Sequence, residues 1–360
     1  MENKEKTCLF AILDWGLGHA TRSVPIISAY YKNDYRIIIC SAGNALTYLK
    51  KTFPEATFYE LPPLQVKYSL RYSFAFVLIR LLPRFTKRFI AERHLANQLV
   101  QQYQPDIIIS DHCYGFFDRN LSSVIIIHQI NPVFKGFLRF FRKPAFFFHK
   151  KLLSQFSHVW VPDEPPPEDL TGELSCSVSG LSLKRVGWLS ALQKRGATGK
   201  HYFDLLVLLS GPEPFRTQWE EVILEQLEQI NLKAMLIRGL PDEGGDIGKE
   251  VPENVCVSNF AGGEELSELM ADSELILARS GYSTVMDVAS MGKKALFVPT
   301  PGQPEQETLA KHISGKGLCY CTNQHEMFLE RDFFYALKFP GFKGYPDGKN
   351  ERLEGSLKVI

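Results

Sequence analysis

The chain has 360 residues, of which 45% are hydrophobic and 22% charged, and a formal net charge of +1. These values exclude a disordered, collagen-like or disulfide-scaffold chain, and the length predicts two domains. The charge is divided unequally, because residues 1–195 hold 25 Lys and Arg against 15 Asp and Glu, whereas residues 196–360 hold 16 against 25. A basic first half points to an anionic partner or surface.

The cysteines and apolar segments favour a cytoplasmic protein. The seven cysteines are scattered and form no CxxC pair, so neither a disulfide framework nor a zinc site is expected. The apolar run 7–13 is too short for a signal segment and is typical of a first buried strand. The longest apolar stretch, 73–82, is interrupted by Arg80 and stopped by Pro83, so it is too short to span a membrane.

Short apolar runs alternate with helix-like patterns along the whole chain. Predicted strands lie at 7–13, 36–40, 57–61, 106–110, 124–128 and 158–161, then at 204–209, 233–238, 255–260, 275–278, 295–299 and 318–321. Predicted helices lie at 20–31, 88–102, 216–230, 282–291 and 304–314. Continuous apolar runs are typical of parallel strands that are covered on both faces. The alternation predicts an α/β fold with two Rossmann-like, doubly wound parallel sheets.

The stretch from residue 162 to residue 199 interrupts this alternation. Its first part is acidic and rich in proline, and its end is polar with glycines. We therefore expect an N-terminal domain at 1–185, a linker at 186–203 and a C-terminal domain at 204–340.

The first candidate functional loop is DWGLGHATR, at residues 14–22, between a predicted strand and a predicted helix. Gly16 and Gly18 allow a tight turn, the helix N-terminus offers N–H groups to an anion, and His19 has a pKa suited to proton transfer. The third glycine of the dinucleotide fingerprint is missing, which makes NAD a weak interpretation. The structural alternative is that the glycines only form the turn and that His19 caps the helix.

A second loop, at residues 278–287, follows a buried strand of the C-terminal half. Gly281 turns the chain, and Ser283 and Thr284 open a helix whose N–H and hydroxyl donors favour phosphate. Asp287 lies one helical turn beyond Ser283, where it could accept hydrogen bonds from a ribose. The alternative is ordinary capping with a solvated acid.

A third loop, TPGQPEQE at residues 300–307, follows the next strand. Gln303, Glu305 and Gln306 can bind sugar hydroxyls through paired donors and acceptors. Glu305 and Glu307 can instead be first-turn acids that the helix dipole favours.

The segment RSGYSTVMDVASMGKKALFVPTPGQPEQETLA, at residues 279–310, resembles the C-terminal signature of the GT-B glycosyltransferases of family 28. That family is typified by the transferase that adds N-acetylglucosamine to a lipid-linked muramyl acceptor. GLGH at 16–19, DHCYG at 111–115 and IHQIN at 127–131 resemble loops of the family's N-terminal domain. The resemblance implies a GT-B fold in which two domains face a cleft, with the tail 341–360 packing on the N-terminal domain.

The resemblance also implies roles for particular residues. The backbone at 258–260 would frame uracil, Asp287 would hold the ribose, and residues 280–284 with Ser210 would cradle the pyrophosphate. Asp287 stands where the family usually has Glu, and Glu305 replaces one sugar-binding Gln, which leaves the donor sugar open. The candidate nucleotide-sugar residues are Gly16, Gly18, Ser210, Gly211, Phe260, Arg279, Ser280, Gly281, Ser283, Thr284, Asp287, Gln303, Glu305 and Gln306.

The function we expect is transfer of a sugar, such as an N-acetylhexosamine, from a UDP-sugar to a lipid-linked or cell-envelope glycan acceptor. Inversion without a metal or other cofactor is expected, because a helix N-terminus and hydroxyls can stabilise the leaving UDP and no DxD pair follows a strand. His19 and Asp111 are the candidate bases. The alternative is a UDP-sugar hydrolase or epimerase, since GHATR at 18–22 also resembles the Gly-His-x-x-Arg of related nucleotide-sugar hydrolases, in which the His activates water.

Two basic stretches, 67–88 and 133–153, predict peripheral contact with an anionic membrane, at the inner face of the plasma membrane. Residues 133–153 contain six Lys or Arg, seven Phe and no acid, and 67–88 add six cations and no acid. Such stretches suit a lipid interface. A third functional alternative is a non-catalytic protein that binds the membrane surface. The structural alternative is that the Phe side chains are buried in the core and the cations are solvated. Nucleic acid is not expected as a partner, because no RRM, KH or zinc pattern is present.

Overall fold

The computed structural model describes residues 5–64, 74–134, 136–192, 194, 202–211, 213–240, 248, 250–343 and 351–357, without the side chains of 74–81, 136–138 and 351. The chain divides into two compact units. The N-terminal unit is built from Met1–Val66, Ala75–Ala191 and Lys349–Ile360, and the C-terminal unit lies mainly within Leu192–Gly348.

The N-terminal unit contains a seven-stranded parallel sheet in the order β3-β2-β1-β4-β5-β6-β7. Its strands are β1 (Thr7–Ile12), β2 (Arg36–Ser41), β3 (Thr57–Glu60), β4 (Ile107–Asp111), β5 (Ser122–Ile126), β6 (His158–Val161) and β7 (Leu183–Arg185). Its α-helices are α1 (Gly18–Tyr31), α2 (Gly43–Thr52), α3 (Phe74–Tyr103), α4 (Arg142–Leu153) and α10 (Glu351–Leu357). The strand order reverses between β1 and β4, where open α/β sheets bind their ligands.

Strand β1 shows why the sheet has a core on each face. Its six residues are all buried, and alternate side chains point to opposite faces. Phe10 packs in one core with Ile26 and Ile27 of α1. Leu9 packs in the other core with Leu99 of α3. A strand covered on both faces requires the continuous apolar run that the sequence shows.

The C-terminal unit contains a six-stranded parallel sheet in the order β10-β9-β8-β11-β12-β13. Its strands are β8 (Phe203–Leu208), β9 (Ala234–Ile237), β10 (Val255–Ser258), β11 (Ser273–Ala278), β12 (Lys294–Phe297) and β13 (Tyr320–Cys321). Its helices are α5 (Phe215–Glu228), α6 (Gly263–Ala271), α7 (Tyr282–Ser290), α8 (Pro304–Gly315) and α9 (Leu329–Leu337). The order reverses between β8 and β11. The predicted α/β class with two parallel sheets is confirmed.

The structure adds elements around the segment that interrupts the sequence pattern. Strand β7 has only three half-buried residues, so it lacks the apolar run by which the other strands are recognised. Val186 and Leu189 are buried in the core of the N-terminal unit, so that unit extends past the start of the expected linker. Leu353 of α10 lies in the same core, and Arg352 Nε is 2.7 Å from Glu164 Oε2. Within the described ranges, no helix has both the length and the apolar character required to cross a bilayer.

Candidate active site

The loop between β1 and α1 is held by a buried ionic network. Gly16 has φ +81°, which favours glycine, and Gly18 is the first residue of α1. Asp14 Oδ2 accepts a hydrogen bond from Leu64 N at 2.9 Å, and Asp14 Oδ1 lies 3.3 Å from Arg88 Nη1. Arg88 is only 5% exposed, so it takes no part in the basic surface expected of residues 67–88. The other residues of that stretch up to residue 81 lie outside the described side chains.

His19 and Asp111 meet at the switch point of the N-terminal sheet. Asp111 is the last residue of β4, the neighbour of β1, and His19 is the second residue of α1. His19 Nδ1 lies 2.8 Å from Asp111 Oδ1. Asp111 is buried, whereas His19 is partly exposed. The Nε2 atom of His19 forms no hydrogen bond with any residue that the structure describes. This arrangement leaves one imidazole nitrogen open to a ligand.

Arg22 lies one turn after His19 and binds both oxygens of the Asp111 carboxylate. Its Nε donates to Asp111 Oδ2 at 2.7 Å, and its Nη2 donates to Asp111 Oδ1. Arg22 Nη1 lies 2.9 Å from His128 Nδ1. Arg22 Nη2 also lies 2.7 Å from His19 Nδ1 and 2.9 Å from His112 Nδ1. The guanidinium therefore joins one carboxylate to three imidazoles. We call these five residues the Arg22 cluster.

The Arg22 cluster fixes the charge state of its members. Burial alone would raise the pKa of Asp111, but Arg22 and His19 outweigh it and hold this pKa well below its ordinary value. Burial, together with Arg22, lowers the pKa of His19 against the opposing effect of Asp111. Burial is also the main reason that the pKa of His112 lies well below its ordinary value. An ionised acid thus faces two neutral imidazoles, one of which can act as a base.

The same cluster has the ligand types of a metal site. Ligand atoms of His19, Asp111 and His112 lie within 4.8 Å of one another. Arg22 Nη2 contacts all three residues, so the positive charge that a metal would supply is already provided by a guanidinium. We therefore interpret the cluster as an ion-paired acid–base site.

A second hydrogen-bonded pair joins the loops after β4 and β5 to α4. The Tyr114 hydroxyl lies 2.9 Å from His149 Nε2, and His149 Nδ1 lies 2.9 Å from the carbonyl oxygen of Ile130. A carbonyl only accepts, so Nδ1 carries the proton and Nε2 accepts from Tyr114. Helix α4 is thereby tied to the loop that follows Asp111.

The pyrophosphate candidates in the C-terminal unit lie at its switch point. Ser210 and Gly211 follow β8 and are exposed, with Gly211 at φ +110°. Gly281 is the extended N-cap of α7, and Ser283 and Thr284 in the first turn are partly exposed. The first N–H groups of a helix have no partner within it, so these residues form a donor-rich surface suited to phosphate.

Arg279 and Ser280, which precede Gly281, are buried and organise this loop. Arg279 Nη1 donates to the carbonyls of Val298 and Pro299 at 3.2 and 3.3 Å, and Nη2 donates to Gln324 Oε1 at 2.7 Å. Its guanidinium lies 4.1 Å from the Trp219 ring, and burial lowers its pKa to about 9. Arg279 therefore stabilises the ends of β11 and β12 rather than presenting its charge at the surface.

The sugar candidates lie beside that loop. Ser280 Oγ donates to the carbonyl of Gln306 at 2.9 Å, which ties the start of α7 to α8. Gln306 Oε1 accepts from Thr300 N at 2.8 Å. Gln303 is the N-cap of α8, and it is partly exposed, as are Glu305 and Gln306. The loops after β11 and β12 are thus joined by hydrogen bonds at the carboxyl ends of these strands, and we call this side of the C-terminal sheet the donor edge.

The loop after β10 lies at the carboxyl end of its strand and is the last part of the donor edge. Ser258 Oγ donates to the Phe260 carbonyl at 3.0 Å, and Arg238 Nη1 donates to Asn259 Oδ1 at 3.1 Å. A Cβ at Gly262 would lie only 3.0 Å from the partly exposed Phe260 ring. A side chain at position 262 would therefore crowd the ring, and glycine leaves room for it.

The structure brings His19 and Asp111 together in the N-terminal unit, where Gly16 and Gly18 lie beside His19. The other candidate nucleotide-sugar residues lie in the C-terminal unit. Sequence reasoning missed the contributions of Arg22, His112, His128 and His149. His112 and His128 lie in the DHCYG and IHQIN segments, within two residues of the ends of β4 and β5, and this position is a signal that points to them.

Residues 221–331 match the family described as glycosyltransferase family 28 C-terminal domain. An uncharacterized glycosyltransferase of Methanosarcina mazei is 24% identical over 234 residues, which cover 61% of each chain. A UDP-N-acetylglucosamine–N-acetylmuramyl-(pentapeptide) pyrophosphoryl-undecaprenol N-acetylglucosamine transferase of Haemophilus influenzae is 22% identical over 238 residues, which cover 64% of this chain and 63% of that protein. The chain thus spans about three fifths of the length of these relatives.

A solved structure extends the similarity over nearly the whole chain. The spinosyn rhamnosyltransferase SpnG, complexed with thymidine diphosphate, has a TM-score of 0.64 at 14% identity, covering 98% of this chain and 96% of that chain. The two parallel sheets and this match establish the fold. The chain therefore has the GT-B fold and carries, at residues 221–331, a glycosyltransferase family 28 C-terminal domain, which makes it a distant relative of the family 28 enzymes.

Proposed function

We propose that this protein is an inverting, metal-independent glycosyltransferase that moves a sugar from a UDP-sugar to a hydroxyl of a lipid-linked or cell-envelope glycan acceptor. The observation that carries the proposal is the His19–Asp111 pair, 2.8 Å apart at the switch point of the N-terminal sheet. A neutral imidazole oriented by an ionised carboxylate is a general base suited to activating a hydroxyl. We assign the acceptor to the N-terminal unit and the donor to the C-terminal unit.

The donor assignment is supported by the edge formed by the loops after β8, β10, β11 and β12. The first turn of α7 offers N–H and hydroxyl donors for the pyrophosphate. The Phe260 ring is the aromatic group that we assign to the uracil of the donor. Asp287 lies one turn after Ser283 and can accept hydrogen bonds from the ribose. Glu305 and Gln306 are the residues that we assign to the sugar. The H. influenzae relative is described as using UDP-N-acetylglucosamine, which is our first choice of donor.

The transfer step follows from these groups. The acceptor hydroxyl gives its proton to His19 Nε2, and its oxygen forms a bond to the anomeric carbon of the sugar. The bond from that carbon to the β-phosphate oxygen breaks, and the electron pair leaves with UDP. Asp111 stabilises the imidazolium that forms, and the α7 N-terminus stabilises the charge that develops on UDP. A single displacement of this kind inverts the anomeric configuration.

A nucleotide-sugar hydrolase is the second candidate, and Arg22 is the observation that favours it. The Gly18–Arg22 segment supplies both the base and the cation that orients Asp111, so the His19–Asp111 pair could equally deprotonate water. Release of free sugar from UDP-N-acetylglucosamine at the same rate with and without acceptor would support hydrolysis. Release that depends on acceptor, with the sugar recovered on it, would support transfer.

A lipid-linked acceptor is supported by the surface around α4. Phe140, Phe141, Phe147 and Phe148 are between 53% and 79% exposed. Arg139, Lys143 and Lys151 on the same segment are also exposed. Rings that insert between headgroups, with cations that contribute about 1 kcal/mol each near an anionic surface, would hold the protein at such a membrane. We call this set of seven residues the α4 surface.

The donor class is tested by thermal unfolding with UDP, GDP, CMP and dTDP. A ligand that binds only the folded state stabilises it by RT ln(1 + [L]/Kd), or about 2.7 kcal/mol at one hundred times Kd. We expect UDP to raise the unfolding temperature more than the other three nucleotides. A larger shift with dTDP or GDP would replace the uridine assignment, and no shift with any nucleotide would oppose the donor site.

A further inference from the structure

The Arg22 cluster restricts where each imidazole carries its proton. A guanidinium only donates hydrogen bonds, and an ionised carboxylate only accepts them. Both His19 Nδ1 and His112 Nδ1 lie within reach of Arg22 Nη2 and of Asp111 Oδ1. A neutral ring whose Nδ1 faces the carboxylate must carry its proton there. A ring that accepts from Arg22 must carry its proton on Nε2.

The number of hydrogens on Arg22 Nη2 requires the two rings to take different roles. Arg22 Nη2 has two hydrogens, and one of them bonds Asp111 Oδ1, so it can serve only one imidazole. His19 Nδ1 is nearer than His112 Nδ1 to both groups, at 2.8 against 3.1 Å from Asp111 Oδ1 and at 2.7 against 2.9 Å from Arg22 Nη2. The distances therefore do not separate the roles, but a base at His19 needs an unprotonated Nε2 and so carries its proton on Nδ1, facing Asp111. The remaining hydrogen of Nη2 then bonds His112 Nδ1, 2.9 Å away.

The two rings thus present opposite groups to a ligand. His19 offers the unprotonated Nε2 of a base, whereas His112 offers an N–H donor at Nε2. The ring centroids are 4.9 Å apart, and His112 Nε2 has no hydrogen bond to any described residue. His112 also has φ +55°, a conformation that costs free energy in a residue other than glycine and that often marks functional sites.

We propose that His112 is an acceptor-binding residue whose Nε2–H donates to an oxygen of the acceptor, beside the hydroxyl that His19 deprotonates, and that Arg22 sets the opposite tautomers of the two rings. The ligand class is an oxygen-rich group with a hydroxyl and a neighbouring hydrogen-bond acceptor, such as a sugar with adjacent oxygens. The proposal rests on the proposed function for the identity of the acceptor and for His19 as the base, but the tautomers are a property of the free protein and can be measured without a substrate.

The tautomers are tested by 15N NMR of the imidazoles in the ligand-free protein at pH 7. The protonated and unprotonated nitrogens of a neutral ring resonate far apart, and His19→Gln and His112→Gln variants assign the two rings among the nine histidines. We expect a proton on Nδ1 in His19 and on Nε2 in His112. The same tautomer in both rings, or the reverse pair, would overturn the proposal even if the protein is an active transferase.

The binding role is tested by two matched substitutions of His112. Gln places an amide N–H near the position of Nε2, whereas Asn places its amide near Nδ1, can accept from Arg22 and tolerates positive φ better. We expect His112→Asn to lower kcat/KM for the lipid-linked muramyl acceptor roughly tenfold, with most of the change in KM, and His112→Gln to recover much of it. Thermal unfolding identifies variants that fail to fold.

A purely structural role for His112 predicts the opposite order. In that case Asn, which keeps the Arg22 bond and suits the backbone, retains at least as much activity as Gln, and this result would overturn the binding role. If no transfer is detected even in the unchanged protein, the proposed function fails. The NMR result then still decides the tautomers.

Discussion

Arg22 and Asp111 form a buried ion pair across 89 residues of sequence, with Arg22 Nε 2.7 Å from Asp111 Oδ2 and Nη2 donating to Oδ1. The pair joins α1 to the end of β4, where the order of the sheet reverses. Because it holds the carboxylate that orients His19, stability and chemistry depend on the same contact.

Replacing one partner of this pair should destabilise the protein strongly. Arg22→Met leaves the Asp111 carboxylate buried without its cation, and we expect a loss of about 3 kcal/mol in the free energy of unfolding, measured with urea. Asp111→Asn should cost a similar amount. The double variant should lose less than the sum, since neither charge is then left alone. Additive losses, or single losses below about 1 kcal/mol, would contradict the pairing.

The pH dependence of transfer should report the lowered pKa of His19. Its ring faces Arg22, Asp111, His112 and His128, and burial with Arg22 sets the pKa below the ordinary 6.5. Lowering a base's pKa keeps it unprotonated further into acid, so kcat/KM should persist below pH 6.5 and fall only as the pH passes the lowered value. An acid limb at or above pH 6.5 would count against this assignment.

Arg22→Gln provides the control for this pH profile. Removing the guanidinium removes a positive charge that opposes protonation of His19, so the acid limb should move to higher pH. The amide still donates hydrogen bonds, which preserves part of the geometry. An unchanged limb would show that Arg22 has no electrostatic effect on the base.

UDP binding should depend on Asp287 of the C-terminal unit and not on His19 of the N-terminal unit. We expect Asp287→Asn to weaken UDP binding roughly tenfold in calorimetry, because the amide accepts ribose hydrogen bonds less strongly than a carboxylate. His19→Ala, in the other unit, is the matched control and should leave the Kd for UDP unchanged. Equal Kd values for Asp287→Asn and the unchanged protein would remove Asp287 from the ribose site.

Membrane contact should depend on the exposed rings of the α4 surface. The double substitution Phe147→Ser and Phe148→Ser removes two side chains that are each 66% exposed, and we expect it to reduce flotation with anionic phosphatidylglycerol vesicles severalfold. Phe334→Ser, which removes a 59% exposed Phe of α9, is the control and should float like the unchanged protein. Equal flotation of all three proteins would refute the contact.

The sequence predicted those parts of the fold whose signal is local. Strands such as β1 and β4 are recognisable because burial on both faces demands an unbroken apolar run. Strand β7 carries no such run, and helix α4 has so many exposed Phe and Lys residues that its pattern resembles a surface stretch. These elements are stabilised by contacts with distant segments, as with His149 and Tyr114.

The site was predictable only in part for the same reason. His19 and Asp111 could be chosen from the sequence because His19 follows the glycine-containing loop after one apolar strand and Asp111 lies at the end of another. The role of Arg22 depends on partners 89 and 106 residues away, which only the folded sheet brings together. Arg279 shows the converse, since a cation beside a phosphate loop suggests a ligand contact, whereas its donors bind backbone carbonyls and Gln324.

Transfer by the protein and by its His19→Ala variant tests the central claim most directly. The measurement follows labelled sugar from UDP-N-acetylglucosamine to N-acetylmuramyl-(pentapeptide) pyrophosphoryl-undecaprenol in vesicles. We expect acceptor-dependent labelling by the unchanged protein and a loss of roughly 10²- to 10⁴-fold in His19→Ala, with UDP binding retained. Labelling that is unaffected by the substitution would contradict the assignment of His19 as the base, and free labelled sugar without labelled acceptor would contradict transfer.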